Sequence, residues 1–195
     1  MPIIGSTWTG LVSAQMATQG MVGPNVPDFA TAVGSGSASH VVGASFGTSD
    51  IGVVAGTGVG IGVGIVVAGP AIASAIYGYA SGYGWSGPNL MNLCTAVGNA
   101  CSIALLSALL SSTHSPIFSG TGTVISVSIG VIGGTWGGAI QSAFPFTGPQ
   151  WANMCQAIGK GCADVIHASA VAIVSITGVG APGTPGVGSG IGAIT

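Results

Sequence analysis

Four cysteines in two matched pairs are the side chains in this sequence best placed for chemistry. Cys94 and Cys101 stand seven residues apart, and so do Cys155 and Cys162, each pair inside an apolar stretch with helical spacing. Residues seven apart on one helix share a face but lie about 10.5 Å apart, which is beyond disulfide reach and too far to share one zinc. A bridge or a metal would need one cysteine from each pair, on two helices lying side by side. The competing reading is that all four are small buried apolar residues at a packing seam, where an earlier stretch of the same pattern carries Ala30 and Ser37. We read them as packing residues, with an interhelical disulfide as the alternative and no metal.

Other candidate chemistry dissolves on inspection. Gly56-Thr57-Gly58-Val59-Gly60 opens like a dinucleotide fingerprint, but the alternation simply continues and no acidic residue follows about 20 positions on to hold a ribose. Ile158-Gly159-Lys160-Gly161 lacks the Ser or Thr that a P-loop places after its lysine. His40, His114 and His167 could each be combined with a serine, yet no nucleophile-elbow sequence surrounds any serine. The expectation is a protein that is not an enzyme and takes no cofactor.

Composition narrows the classes further. The 195 residues include 37 glycines, three acids (Asp28, Asp50, Asp164), one base (Lys160), no Arg and no Glu. Charged residues ordinarily make up about a quarter of a chain. The net charge is −2 and the mean hydropathy +0.80. One cation cannot neutralise a run of phosphates, so nucleic acid is excluded as a partner. Disorder is disfavoured, because disordered chains are rich in charge and poor in apolar residues. Met1-Pro2-Ile3-Ile4 has no basic region of the kind that opens a secretory signal. A surface so short of charge is expected to be covered, by lipid or by other subunits.

The elements that would position these residues follow a pattern written three times. Gly23-Pro24-Asn25, Gly87-Pro88-Asn89 and Gly148-Pro149-Gln150 each head an apolar helix, with proline placed as the first helical residue. Eleven residues after each leading glycine stand Gly34, Gly98 and Gly159, expected as close-packing points between helices. The second long helix is expected over Asn89 to about Ser111 and the third over Gln150 to about Ile176, packed along their cysteine faces. A shorter helix precedes each Gly-Pro, at Thr7 to Gln19, after Pro70, and from about Gly134.

Between helices the period changes from helical to two. Gly56, Gly58, Gly60, Gly62 and Gly64 alternate with Thr57, Val59, Ile61, Val63 and Ile65, a strand with one β-branched face and one bare face. A second alternating strand opens at Gly120 and Gly122, with Thr121, Thr123, Ile125, Val127, Ile129 and Val131 on one face. The tail recovers the alternation at 186, 188, 190 and 192. These strands are expected to build sheets within or between subunits and to be the site of assembly. The fold class is α+β: three tandem repeats (1–69, 70–133, 134–195) in one compact domain, each a short helix, a Gly-Pro turn, a longer apolar helix and a Gly-rich strand.

Gly-Pro helix pairs, near-absent charge and Gly-Thr-Gly-Val strands together resemble the glycine-rich, internally repeated structural proteins of tailed bacteriophages. The resemblance covers the whole chain and implies a virion component of capsid, neck or tail, assembled in the host cytoplasm. Its partners would be other copies of itself and neighbouring virion proteins. The alternative is an integral membrane protein, pore-forming or holin-like, since no charge occurs between Asp50 and Lys160. Three windows, 51–80, 122–143 and 163–179, are apolar enough to be spans. Against this, the first two carry period-two glycine and Pro70, and no Lys or Arg cluster flanks any window to set orientation.

Overall fold

The computed structural model describes residues 4–53, 58–114, 119–129, 133–144, 146–148, 150–169, 172–179 and 185–194. Six helices and six strands occur among them: α1 (Gly5–Thr18), α2 (Val26–Val41), β1 (Ser45–Val53), β2 (Gly58–Val63), α3 (Gly69–Gly82), α4 (Leu90–Leu106), β3 (Ala108–His114), β4 (Ser119–Ile129), α5 (Gly133–Ala143), α6 (Trp151–Ser169), β5 (Ala172–Val179) and β6 (Pro185–Ile194). The class is α+β. Helix, helix, strand, strand is the element order, three times over.

The Gly-Pro stretches are turns rather than first helical residues. Gly23, Gly87 and Gly148 have φ of 150°, 133° and 148°, backbone that a side chain would resist. The Gly23, Gly87 and Gly148 carbonyls accept the amides of Val26, Leu90 and Trp151, each at 3.2 Å. Pro24 and Pro88 therefore sit at the second position of a turn, where their fixed φ fits, and the helix starts two residues later. Pro149 lies outside the described residues.

Each helix pair is followed by two antiparallel strands, where the sequence suggested one strand. The expected helix to Ser111 stops at Leu106, and Ala108–His114 is β3; the expected helix to Ile176 stops at Ser169, and Ala172–Val179 is β5. Ser107 caps α4, with its hydroxyl turned back onto the Ala104 carbonyl at 2.8 Å. The leucines beyond it then pair with β2 and β4 instead of extending the helical stripe. Alternation along β4 also slips: Ser111 pairs with Ser126 and Ser112 with Val124, so Ile125 is skipped and no single face runs from Gly120 to Ile129. Gly56, Gly130 and Val131 lie outside the described residues.

All six strands pair antiparallel in sequence order, and β6 returns to β1, closing a barrel. Among the described residues each strand therefore has a neighbour on both sides within one chain. Eight strands leave room inside a barrel for side chains, and six leave less. Accordingly Gly60 and Gly62 are buried while their neighbours Val59 and Ile61 face out. A Cβ on Gly62 would stand 2.5 Å from the Gly47 carbonyl oxygen of β1. Phe46 and Thr48 take the buried positions of β1.

The helices form a second ring in which each packs on its two sequence neighbours and α6 packs on α1. α2 and α4 are buried over most of their length, whereas α1 buries the stripe Trp8, Val12, Met16. The Trp8 indole donates to Cys162 Sγ at 3.0 Å and Gln15 Nε2 to Asp164 Oδ2 at 2.8 Å, so first and last helices are tied by polar contacts.

The glycines eleven residues after each Gly-Pro set the helix separations. A Cβ on Gly34 would meet Thr9, one on Gly98 would meet the Gly69 carbonyl and Ala73, and one on Gly159 would meet Gly137. Two positions further on, Gly36 touches Ile76 and Gly161 touches Val12, closing the seams between hairpins. At that offset α4 carries Ala100, and α4–α5 is the least closely packed seam of the ring.

Gly98→Ala therefore forces the α3–α4 pair apart and is expected to cost about 1–3 kcal/mol. Gly10→Ala, at an open helical position, is expected to gain about 0.5–1 kcal/mol. Urea denaturation of the two variants against the parent checks both signs.

Candidate functional site

The cysteines lie in the core of the helix ring and not at a surface. All four are fully buried and unbridged. Burial pushes Cys94 up to about 11 and Cys155 up to about 12, from an ordinary 9.0. Burial likewise raises Cys162 to about 12, with the Trp8 indole hydrogen bond pulling slightly the other way. Cys101 is raised well above 9.0, by burial first and by neighbouring Cys162 second. Such thiols are protonated, so they are neither nucleophiles nor thiolate ligands at neutral pH. Among the described residues no group of three or more Cys, His, Asp or Glu is placed to hold a metal.

Cys101 and Cys162 occupy the place that Ser37 holds on α2, also fully buried. Ser37 Oγ and the indole nitrogen of Trp136 have no hydrogen-bond partner. Ile72 stands on α3 where Trp8 stands on α1, 64 residues apart, so no indole reaches the serine hydroxyl. These are packing positions at the seams between hairpins: Trp8 with Cys162 at α6–α1 and Trp136 with Cys101 at α4–α5, but Ile72 with Ser37 at α2–α3.

His40 and His167 are exposed at the ends of α2 and α6, so only His167 shares a helix with the Gly-Lys stretch of α6. Gly159 and Gly161 of that stretch serve the helix seams, facing Gly137 and Val12. Of the fingerprint-like glycines, Gly58 and Gly60 lie in β2, which is paired on both sides, and Gly60 is turned inward, as is Gly62. Gly64 leaves the strand at φ 82°, and a Cβ there would stand 3.0 Å from the Leu106 carbonyl oxygen. Gly58 ends the β2 ladder opposite Gly52, while Gly120 and Gly122 pair with Ile176 and Val174 of β5.

What the geometry does offer is the outer wall of the barrel. Ile51, Val59, Ile61, Leu109, Val187 and Ile191 stand out from it, between 47 % and 74 % exposed. Register lays them side by side: Ile51 is flanked by Val59 on β2 and Val187 on β6. One row over, Ser49 lies between Ile61 and Ser189, and the next row sets Ile191 against bare Gly47. Ser45, Gly47, Ser49 and Ser189 are the other exposed positions described on this wall. Val42, Val66 and Leu106 continue the apolar exposure to where barrel meets helices. Sequence alternation showed that the strands had two faces. It did not show that the bulky face would be the outer one.

No protein-family model, curated protein or solved structure matches this chain.

With buried, protonated thiols, the folded protein is expected to resist iodoacetamide at pH 8 and to react at all four cysteines once unfolded. The pH dependence has a definite sign. Folded thiols hold their protons to higher pH than unfolded ones, so their contribution to stability is complete below about 9.0 and fades as pH rises to 11–12. The urea midpoint is expected to fall across that window, as a titration of midpoint against pH would show.

Proposed function

We propose that this chain is a non-enzymatic structural component of a large symmetric assembly, a tailed-phage virion, built into it through the wall of the barrel. The observation that carries the reading is the apolar outer wall of the barrel, where Val59 and Ile61 face out while Gly60 and Gly62 face in, and Ile51, Leu109, Val187 and Ile191 stand out beside them. Contiguous apolar surface left exposed on a water-soluble monomer marks an interaction site. A closed barrel offers no strand edge, so the contact is side-chain packing on the wall and not strand addition. Knobs beside notches, such as Ile191 next to Gly47, suit a protein partner.

In this reading the three stretches 1–69, 70–133 and 134–195 are tandem repeats. The helix starts Gly5, Gly69 and Gly133 support it, as do the buried rows Trp8, Ile72, Trp136 and Val12, Ile76, Ile140, each spaced by 64 residues. A repeat unit of this size buries little alone, and two closed rings complete its core. The partners are neighbouring virion proteins and other copies of this chain.

The second reading, an integral membrane protein, is favoured by the same apolar wall. No described helix is long and apolar enough to cross a membrane, which leaves the barrel as the membrane element. Bacterial barrels of that kind have at least about eight strands, and this wall interleaves serines with its apolar rows.

A double variant, Ile61→Glu with Ile191→Glu, places charge on exposed wall positions. It is expected to keep the parent's circular dichroism and to disappear from particles banded on a density gradient. Particles carrying normal amounts of the variant, or parent protein that floats with lipid vesicles, would defeat the virion reading.

A further inference from the structure

We propose that the outward face of α3 is the seat for α3 of a second copy of this chain, an inference that rests on the assembly reading above and specifies one of its contacts. Helix α3 faces its own chain through Ile72, Ala73, Ile76 and Ala80, all buried. On the other side Ala75, Gly78, Tyr79, Gly82 and Tyr83 line an open apolar groove.

The fold itself gives no reason for the groove's glycines. A Cβ on Gly78 or Gly82 would meet nothing within 4 Å, and neither residue is among those at positive φ. Each costs its helix about 0.5–1 kcal/mol relative to alanine. The contrast with Gly98 on α4 is direct, because there a side chain would strike the Gly69 carbonyl and Ala73. At Gly34, Gly98 and Gly159 the bare helix position is filled by a neighbouring backbone, whereas at Gly78 and Gly82 it is open.

Groove shape and chemistry together select the occupant. Tyr79 and Tyr83 lie one turn apart and are nearly half exposed, forming a ridge beside the glycine floor. A helix with both a ridge and a matching floor is complementary to itself. Twofold apposition sets each copy's tyrosines over the other's Gly78 and Gly82, the isologous arrangement of a symmetric pair. Tyrosine contributes large contact area with few torsions to immobilise. No charge occurs in the chain from Asp50 to Lys160, so a charged partner would bury its charges against this face unpaired, at a cost. A second copy brings none. The chain already joins helices by the same device at Gly34 with Thr9, Gly98 with Ala73 and Gly159 with Gly137. Helices α1 and α5 also carry open glycines, Gly10 and Gly138, but the described residues of those helices include no tyrosine, so they serve as internal controls.

The test is sedimentation velocity on the full chain over a concentration series, comparing the parent with Gly78→Gln, Gly82→Gln and Gly10→Gln. The expected result is reversible self-association of the parent, weakened roughly tenfold or more by either α3 variant and unchanged by Gly10→Gln. Circular dichroism and the melting midpoint should be preserved or raised, since the new side chains meet nothing within their own chain. Unchanged association of Gly78→Gln, or a parent monomeric at every concentration, overturns the α3 seat. Neither result touches the barrel wall, whose own variants report on particle incorporation separately.

Discussion

The structure depends on how little room six strands leave when they close on themselves. An eight-stranded barrel holds a layer of side chains, and a six-stranded one is narrower. Glycine at the inward positions of β2, Gly60 and Gly62, answers that constraint, and Gly62 sits so near the Gly47 carbonyl that a methyl group would not fit. Once glycine takes the inside, β propensity must come from the other face, where valine and isoleucine favour the extended backbone. The apolar wall is thus a consequence of closure. The near absence of charge extends the same surface to the helices.

The helix ring obeys a related rule by different means. Bare positions let the two helices of each hairpin approach at Gly34, Gly98 and Gly159, and let neighbouring hairpins approach at Gly36 and Gly161. Where alanine stands at the equivalent position, Ala100, the seam is looser. The cysteines belong to this packing. They fill fully buried positions with a small polarisable group, and burial holds their thiols protonated. Close approach of backbones organises both halves of the molecule, and the two halves meet at Val67, whose carbonyl accepts the Ser102 hydroxyl at 2.6 Å.

The sequence made the helices and the glycine alternation legible, because both periods are sustained over many residues. It hid half the strands. Ser45–Val53 carries an aspartate, two glycines and three hydroxyl side chains, so its alternation is faint until β2 and β6 pair with it. Ala108–His114 begins with leucines that fit the preceding helical stripe as well as they fit a strand, and only the Ser107 cap separates the two. The Gly-Pro motif was visible, but its geometry was misplaced by two residues, since proline suits a turn and a first helical turn equally. Barrel closure itself has no local signal. Nor does the inversion of its faces, because an apolar alternating strand ordinarily turns its bulky side chains to the core.

The central claim is that the outer wall of the barrel is open in the isolated chain and covered in the assembly. A cysteine placed at Ile61, against a background of four buried and unreactive native cysteines, reports this directly through its labelling rate with a water-soluble maleimide. The account predicts rapid labelling of the purified chain and protection in intact particles. Equal labelling in both states would contradict it.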